Sequence, residues 1–86
     1  MPYKIIATPE FEKAFKDLTK KDKPLAEKLA KAIKKLSEIP YSGKPLSYEY
    51  SGCRSLHVGK YRIIYTIKED KKEIWLIFVE HRDKLY

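Results

Sequence analysis

Arg54-Ser55-Leu56-His57-Val58-Gly59-Lys60-Tyr61-Arg62-Ile63-Ile64-Tyr65-Thr66-Ile67 is the stretch that decides the fold. Two β-prone runs, Arg54–Val58 and Tyr61–Ile67, flank a two-residue break at Gly59-Lys60. Branched and aromatic side chains pack well on a pleated surface. Glycine supplies the positive φ that a two-residue hairpin turn needs at its first position. Such a turn leaves the register no freedom: Val58 faces Tyr61, His57 faces Arg62, Leu56 faces Ile63 and Ser55 faces Ile64. Side chains alternate between faces. Leu56, Val58, Tyr61, Ile63, Tyr65 and Ile67 therefore share a core face, and Ser55, His57, Arg62, Ile64 and Thr66 share the other. On that second face His57 and Arg62 are direct cross-strand neighbours, with Cβ atoms about 5 Å apart.

Working outward, the polar segment Lys68–Lys72 precedes a third strand-like run, Glu73–Glu80. Setting Ile67 beside Glu73 pairs Tyr65 with Trp75, Ile63 with Ile77 and Tyr61 with Val79 on the core face. Leu76, Phe78 and Glu80 then join Arg62, and Arg82 follows by parity just past the strand end. The second face thus combines Arg62, His57 and Arg82 with apolar Ile64, Leu76 and Phe78. Cations beside exposed apolar groups suit RNA or a protein partner. The alternative is that a loop or the chain's own C-terminal end covers the apolar residues.

Upstream, Tyr3–Ala7 reads as a strand. Thr8-Pro9 reads as a helix cap with proline at the first helical position. Phe11, Ala14, Phe15 and Leu18 fall on one helical face. Asp22 caps a second helix whose Leu25, Ala26, Leu29, Ala30, Ile33 and Leu36 form its stripe, and Pro40 ends it near Ile39. Tyr41 to Gly52 is a loop with room for a short strand near Tyr48. The order is β-α-α-β-β-β. This is an α+β fold, a mostly antiparallel twisted sheet with an N-terminal helical hairpin packed on one face.

With 86 residues the chain is one domain spanning 1–86. That size excludes a large cofactor-binding enzyme and leaves room for a small enzyme with an open surface site. The net charge of +7 points to a polyanion or an acidic protein as partner. The lone Cys53 allows no internal disulfide and has no zinc-spaced companions; beside Gly52 it reads as a small packed residue. No apolar run approaches the roughly 20 residues that span a membrane. The expectation is a cytoplasmic protein without metal or other cofactor. Only three arginines occur, Arg54, Arg62 and Arg82, all in the sheet half, while the helices use lysine. Arginine holds phosphate in a fixed two-pronged fork; lysine is a mobile point charge.

The run Gly59-Lys60-Tyr61-Arg62-Ile63-Ile64-Tyr65, followed by Val79-Glu80-His81-Arg82 and then Tyr86, resembles the RelE/ParE toxin superfamily. Element order and length resemble it over the whole chain. The resemblance implies the toxin of a type II toxin–antitoxin pair, held by a small antitoxin in a hetero-oligomer. RelE-like members cleave mRNA in the ribosomal A site without a metal, inhibiting translation. ParE-like members share the fold and poison DNA gyrase by protein binding. A catalytically inactive RNA-binding relative is a third reading.

RelE-like chemistry is attack of a ribose 2′-OH on the adjacent phosphate. It needs a base, a cation for the developing phosphorane charge and an acid for the leaving 5′-oxygen. By resemblance Arg62 stabilises the transition-state phosphate, Arg82 contacts it, and Tyr86 stacks on and orients the nucleotide. His81 stands where several mRNA-cleaving relatives carry an acid–base histidine, a residue type that titrates near neutral pH. His57 and Ser55 occupy positions where some RelE members carry two lysines. In this departure, either His57 moves the proton, or Lys60 or Lys44 reaches in, or the base is weak. Arg54 belongs by parity to the core face, yet at a strand start it has room to splay outward to RNA, with an edge salt bridge as the alternative. Arg54, Lys60, Lys44 and Phe78 are the expected RNA contacts, and the antitoxin is expected to be acidic and amphipathic.

Overall fold

Thr8 marks the first change of structure. Its Oγ1 accepts the Phe11 N–H at 3.3 Å and donates to the Leu76 carbonyl at 2.8 Å, so one hydroxyl both caps a helix and ties it to the sheet. The computed structural model describes residues 2–46 and 51–81. Strand β1 (Lys4–Ala7) leads into helix α1 (Pro9–Thr19), with Pro9 at its start and Glu10 and Glu12 in the first turn, where the helix dipole favours anions. Helix α2 (Lys23–Glu38) is capped by Asp22, whose Oδ1 accepts the Leu25 N–H at 3.1 Å. It ends before Pro40, which opens a short 3-10 turn (Pro40–Ser42). Strands β2 (Lys44–Pro45), β3 (Arg54–Val58), β4 (Tyr61–Lys68) and β5 (Glu73–His81) follow. The expected Tyr48 strand lies outside the described residues. The extra strand observed is β2, earlier in the loop.

The sheet order is β1-β5-β4-β3-β2. Strand β1 runs parallel to β5, and the other pairs are antiparallel. Gly59 has φ +62°, and the β3–β4 hairpin has the expected register throughout, including His57 opposite Arg62.

The β4–β5 register differs from the expectation. Tyr65 pairs with Leu76 and Thr66 with Trp75, whereas Ile64 pairs with Phe78 and Arg62 with Glu80. Ile77 is the additional residue on β5, a β-bulge between the two registers. One extra residue reverses the facing of everything on one side of it. Val79, Phe78 and Glu80 keep their expected faces. Leu76 moves to the core, 1% exposed, and Trp75 leaves it. The Tyr65–Trp75 core pair therefore does not exist. The Thr8 hydroxyl also reaches the Ile77 carbonyl at 3.2 Å, so the bulge sits where the α1 cap is anchored.

The core lies between the helices and one sheet face. Phe11, Leu25, Leu29 and Leu36 meet Val58, Ile63, Tyr65, Ile74, Leu76 and Val79. The buried Tyr65 hydroxyl donates to the Pro40 carbonyl at 2.7 Å and accepts the Gly43 N–H at 3.0 Å, fastening the segment after α2 to the sheet.

A second tie is exposed. Glu69, in the β4–β5 turn, accepts hydrogen bonds from the Tyr3 and Tyr41 hydroxyls and pairs with Lys72 at 3.3 Å. The Tyr41 and then the Tyr3 hydroxyl hold the Glu69 carboxyl below its ordinary pKa, and their hydrogen bonds to Glu69, with its charge behind them, hold both phenols and the Lys72 ammonium above theirs. A depressed carboxyl stabilises the fold above its unfolded pKa of about 4.3 and loses that contribution as pH falls through the lower folded value. The raised phenol and ammonium groups lose theirs as pH rises through their folded values, above about 10. Glu69→Gln is therefore expected to melt about 4 °C or less below wild type at pH 7, because the site is exposed. The gap should close on acidification below pH 4. A gap that persists at pH 3 in thermal melts would show that the carboxylate charge is not what the tie uses.

Candidate functional site

The sheet face away from the helices is read in rows across its strands. Glu80, Arg62 and His57 form one row; Phe78, Ile64, Ser55 and Lys44 form the next. Ile6, Trp75 and Thr66 form a third, and Lys4, Glu73 and Lys68 a fourth. Arg62 and His57 are together as expected, and the exposed Lys44 is on the same face, two strands or about 10 Å across from β4. Lys60 is exposed at the hairpin tip. The Lys28 ammonium joins it there from α2, so close to Gly59 that a Cβ on that residue would lie 2.9 Å from it.

Arg62 is the unusual member. It is partly buried, and its Nε is enclosed without a hydrogen-bond partner. Among the described residues the one ion pair joins Lys72 and Glu69, so the facing Glu80 makes no direct ion pair with Arg62. A buried donor without a partner costs about 1–3 kcal/mol, more when charged. Among the described residues, no group of three or more His, Cys, Asp or Glu side chains is placed to hold a metal ion.

Other expected site residues sit differently. Ile64 is 1% exposed, so the middle of this face is closed and not an open apolar strip. Phe78 is 37% exposed at the sheet margin, where it shares a groove of about 300 Å³ with Glu10, Lys13, Ala14 and Asp17 of α1. His81 is opposite Tyr61 on the helix-packed side, its ring edge-on to Tyr61 at 5.3 Å, and the sheet separates it from Arg62. Arg54 neither splays outward nor forms a salt bridge. Its Nη2 donates to the Gly43 carbonyl at 2.6 Å and its guanidinium lies 5.1 Å from the centre of the Tyr41 ring, which makes it a bracket for the 3-10 segment. Arg82 and Tyr86 lie outside the described residues. Trp75 was missed as a member of this face, since alternation cannot reveal a bulge where every neighbour is apolar.

The family model described as the ParE toxin of type II toxin–antitoxin systems, parDE, matches residues 5–86. The chain belongs to this family. It is a toxin of the RelE/ParE superfamily. A relative from Methanocaldococcus jannaschii that carries the name toxin RelE4 is 24% identical over 98% of this chain and 90% of its own length. The toxin–antitoxin complex RelBE2 of Mycobacterium tuberculosis contains a chain 30% identical, with TM-score 0.82 over 95% of this chain and all of that one. A YoeB/ParE toxin from Agrobacterium tumefaciens, 18% identical over 91% of this chain and 96% of its own, has the same fold at TM-score 0.79. Among the described residues, no helix is long and apolar enough to cross a membrane.

Proposed function

We propose that this toxin is a metal-independent, ribosome-dependent mRNA endoribonuclease that cuts in the A site and thereby stops translation in the cytoplasm. The observation that carries the reading is the unpartnered guanidinium of Arg62 directly opposite His57 on the helix-free face. The 2′-oxygen attacks the phosphorus, and His57 takes the hydroxyl proton. Arg62 balances the added negative charge on the non-bridging oxygens, and the bond to the 5′-oxygen breaks as that oxygen takes a proton from solvent water, leaving a 2′,3′-cyclic phosphate. His57 is chosen over His81 because His81 is on the far face of the sheet. Arg82 and Tyr86 supply, by family resemblance, a second phosphate contact and a stacking ring. Lys60 and Lys44 draw in the RNA backbone. The inhibitor is an acidic, amphipathic antitoxin, consistent with the +7 charge and with a relative solved as a toxin–antitoxin complex.

The match to the ParE family model, with no lysine at positions 55 or 57, favours a second reading, a gyrase poison acting by protein binding. Primer extension on mRNA in a translating extract separates the two. Cuts that require ribosomes and fall within A-site codons support the nuclease. Intact mRNA together with inhibited gyrase supercoiling supports the poison.

A further inference from the structure

The bulge at Ile77 places the only tryptophan of the chain, Trp75, on the same face as Arg62 and His57. Its indole Nε1 donates to Glu73 Oε1 at 3.1 Å, which fixes the plane of the ring. The Lys68 ammonium stands 5.6 Å from the ring centre, and Lys68 is exposed at the strand end. A partly exposed tryptophan outside the core, held in orientation and capped among the described residues by an exposed lysine, is an unfinished stacking platform. Stacking is tolerant of base identity and strengthened by cations nearby.

Spacing says which base it would serve. Thr66, opposite Trp75, is four residues along β4 from Arg62, about 13 Å at the rise of an extended strand. Stacked nucleotides advance about 3.4 Å each, so the ring lies about four stacked nucleotides from the phosphate that Arg62 would hold, at the place of a flanking base.

We infer that Trp75 and Lys68 form a flanking-nucleotide subsite, in which a base of a single-stranded RNA stacks on Trp75 and the displaced Lys68 ammonium pairs with that nucleotide's phosphate. Among the described residues the charges in the neighbouring row of this face are Lys4, Lys68 and Glu73, so cations outnumber the anion. The inference rests on the nuclease reading and adds a contact outside the scissile step.

The test uses the whole chain and a single-stranded 2′-O-methyl RNA, which lacks the attacking hydroxyl and stays uncut. Trp75 emission is expected to quench on titration at low salt, and an abasic residue at one position of the oligonucleotide is expected to remove the quench. Trp75→Phe keeps affinity within about threefold, whereas Trp75→Leu loses about 5- to 150-fold. Binding that depends on Arg62 but leaves Trp75 emission unchanged overturns the subsite and leaves the nuclease reading standing. Quenching indifferent to every abasic position overturns it too, as does an absence of binding at low salt. Abasic-sensitive quenching in a protein whose Arg62→Ala form still cuts translated mRNA supports the subsite and removes Arg62 from the chemistry.

Discussion

Arg62→Ala is expected to lower A-site cleavage by about 10²- to 10³-fold, the loss typical when one group that stabilises developing oxyanion charge is removed. The fold should survive. Arg62 makes no hydrogen bond or ion pair among the described residues, and it projects from the face that the helices do not cover. Some packing is lost with its aliphatic stem, so a drop of a few degrees in melting temperature is expected and no more. Arg62→Lys separates charge from geometry. The ammonium keeps the positive charge but cannot offer the two-pronged fork, and activity should recover only in part. Full toxicity in a folded Arg62→Ala protein would remove the site proposed here, whatever the target.

The second large effect concerns stability. Tyr65→Phe deletes one oxygen and leaves two groups without partners, the Pro40 carbonyl and the Gly43 N–H. Both residues are buried, so water cannot replace the hydroxyl freely. At about 1–3 kcal/mol for each abandoned group, the cost is about 2–6 kcal/mol. For a domain of this size that is a fall of at least about 8 °C in melting temperature. Gly43→Ala strikes the same joint from the other side. Its Cβ would lie 2.6 Å from the Tyr65 hydroxyl and 2.7 Å from the Ser55 carbonyl oxygen, both closer than van der Waals contact. In the double variant the first clash is absent, so the two losses should add to less than their sum, which a double-mutant cycle by chemical denaturation measures. A Tyr65→Phe protein that loses less than about 4 °C would show that the hydroxyl is not what fastens this segment.

Much of the candidate site was legible because it is local. His57 and Arg62 are five residues apart across a two-residue turn, and the turn leaves one register available. Arg54 was misread because its partners are backbone carbonyls of a segment eleven to thirteen residues away, and carbonyls leave no trace in a residue pattern. His81 and Arg62 both looked like site residues, yet simple strand alternation, with Glu80 beside Arg62 as expected, puts them on opposite sides of the sheet.

Wherever a side chain's partners lie within a few residues, the amino-acid order by itself determined the outcome. The Thr8 and Asp22 caps, the stop before Pro40, the apolar helical stripes and the β3–β4 register all follow from short-range sterics and hydrogen bonding. Tertiary structure alone decided the offset between β4 and β5, the parallel seat of β1 beside β5, and the exchange of Leu76 for Trp75 in the core. The reason is physical. The turn between β4 and β5 is long enough to allow more than one register. The choice falls to long-range packing, which buries Leu76 under the helices and absorbs the mismatch as one bulged residue at Ile77, where the Thr8 hydroxyl meets the carbonyls of Leu76 and Ile77.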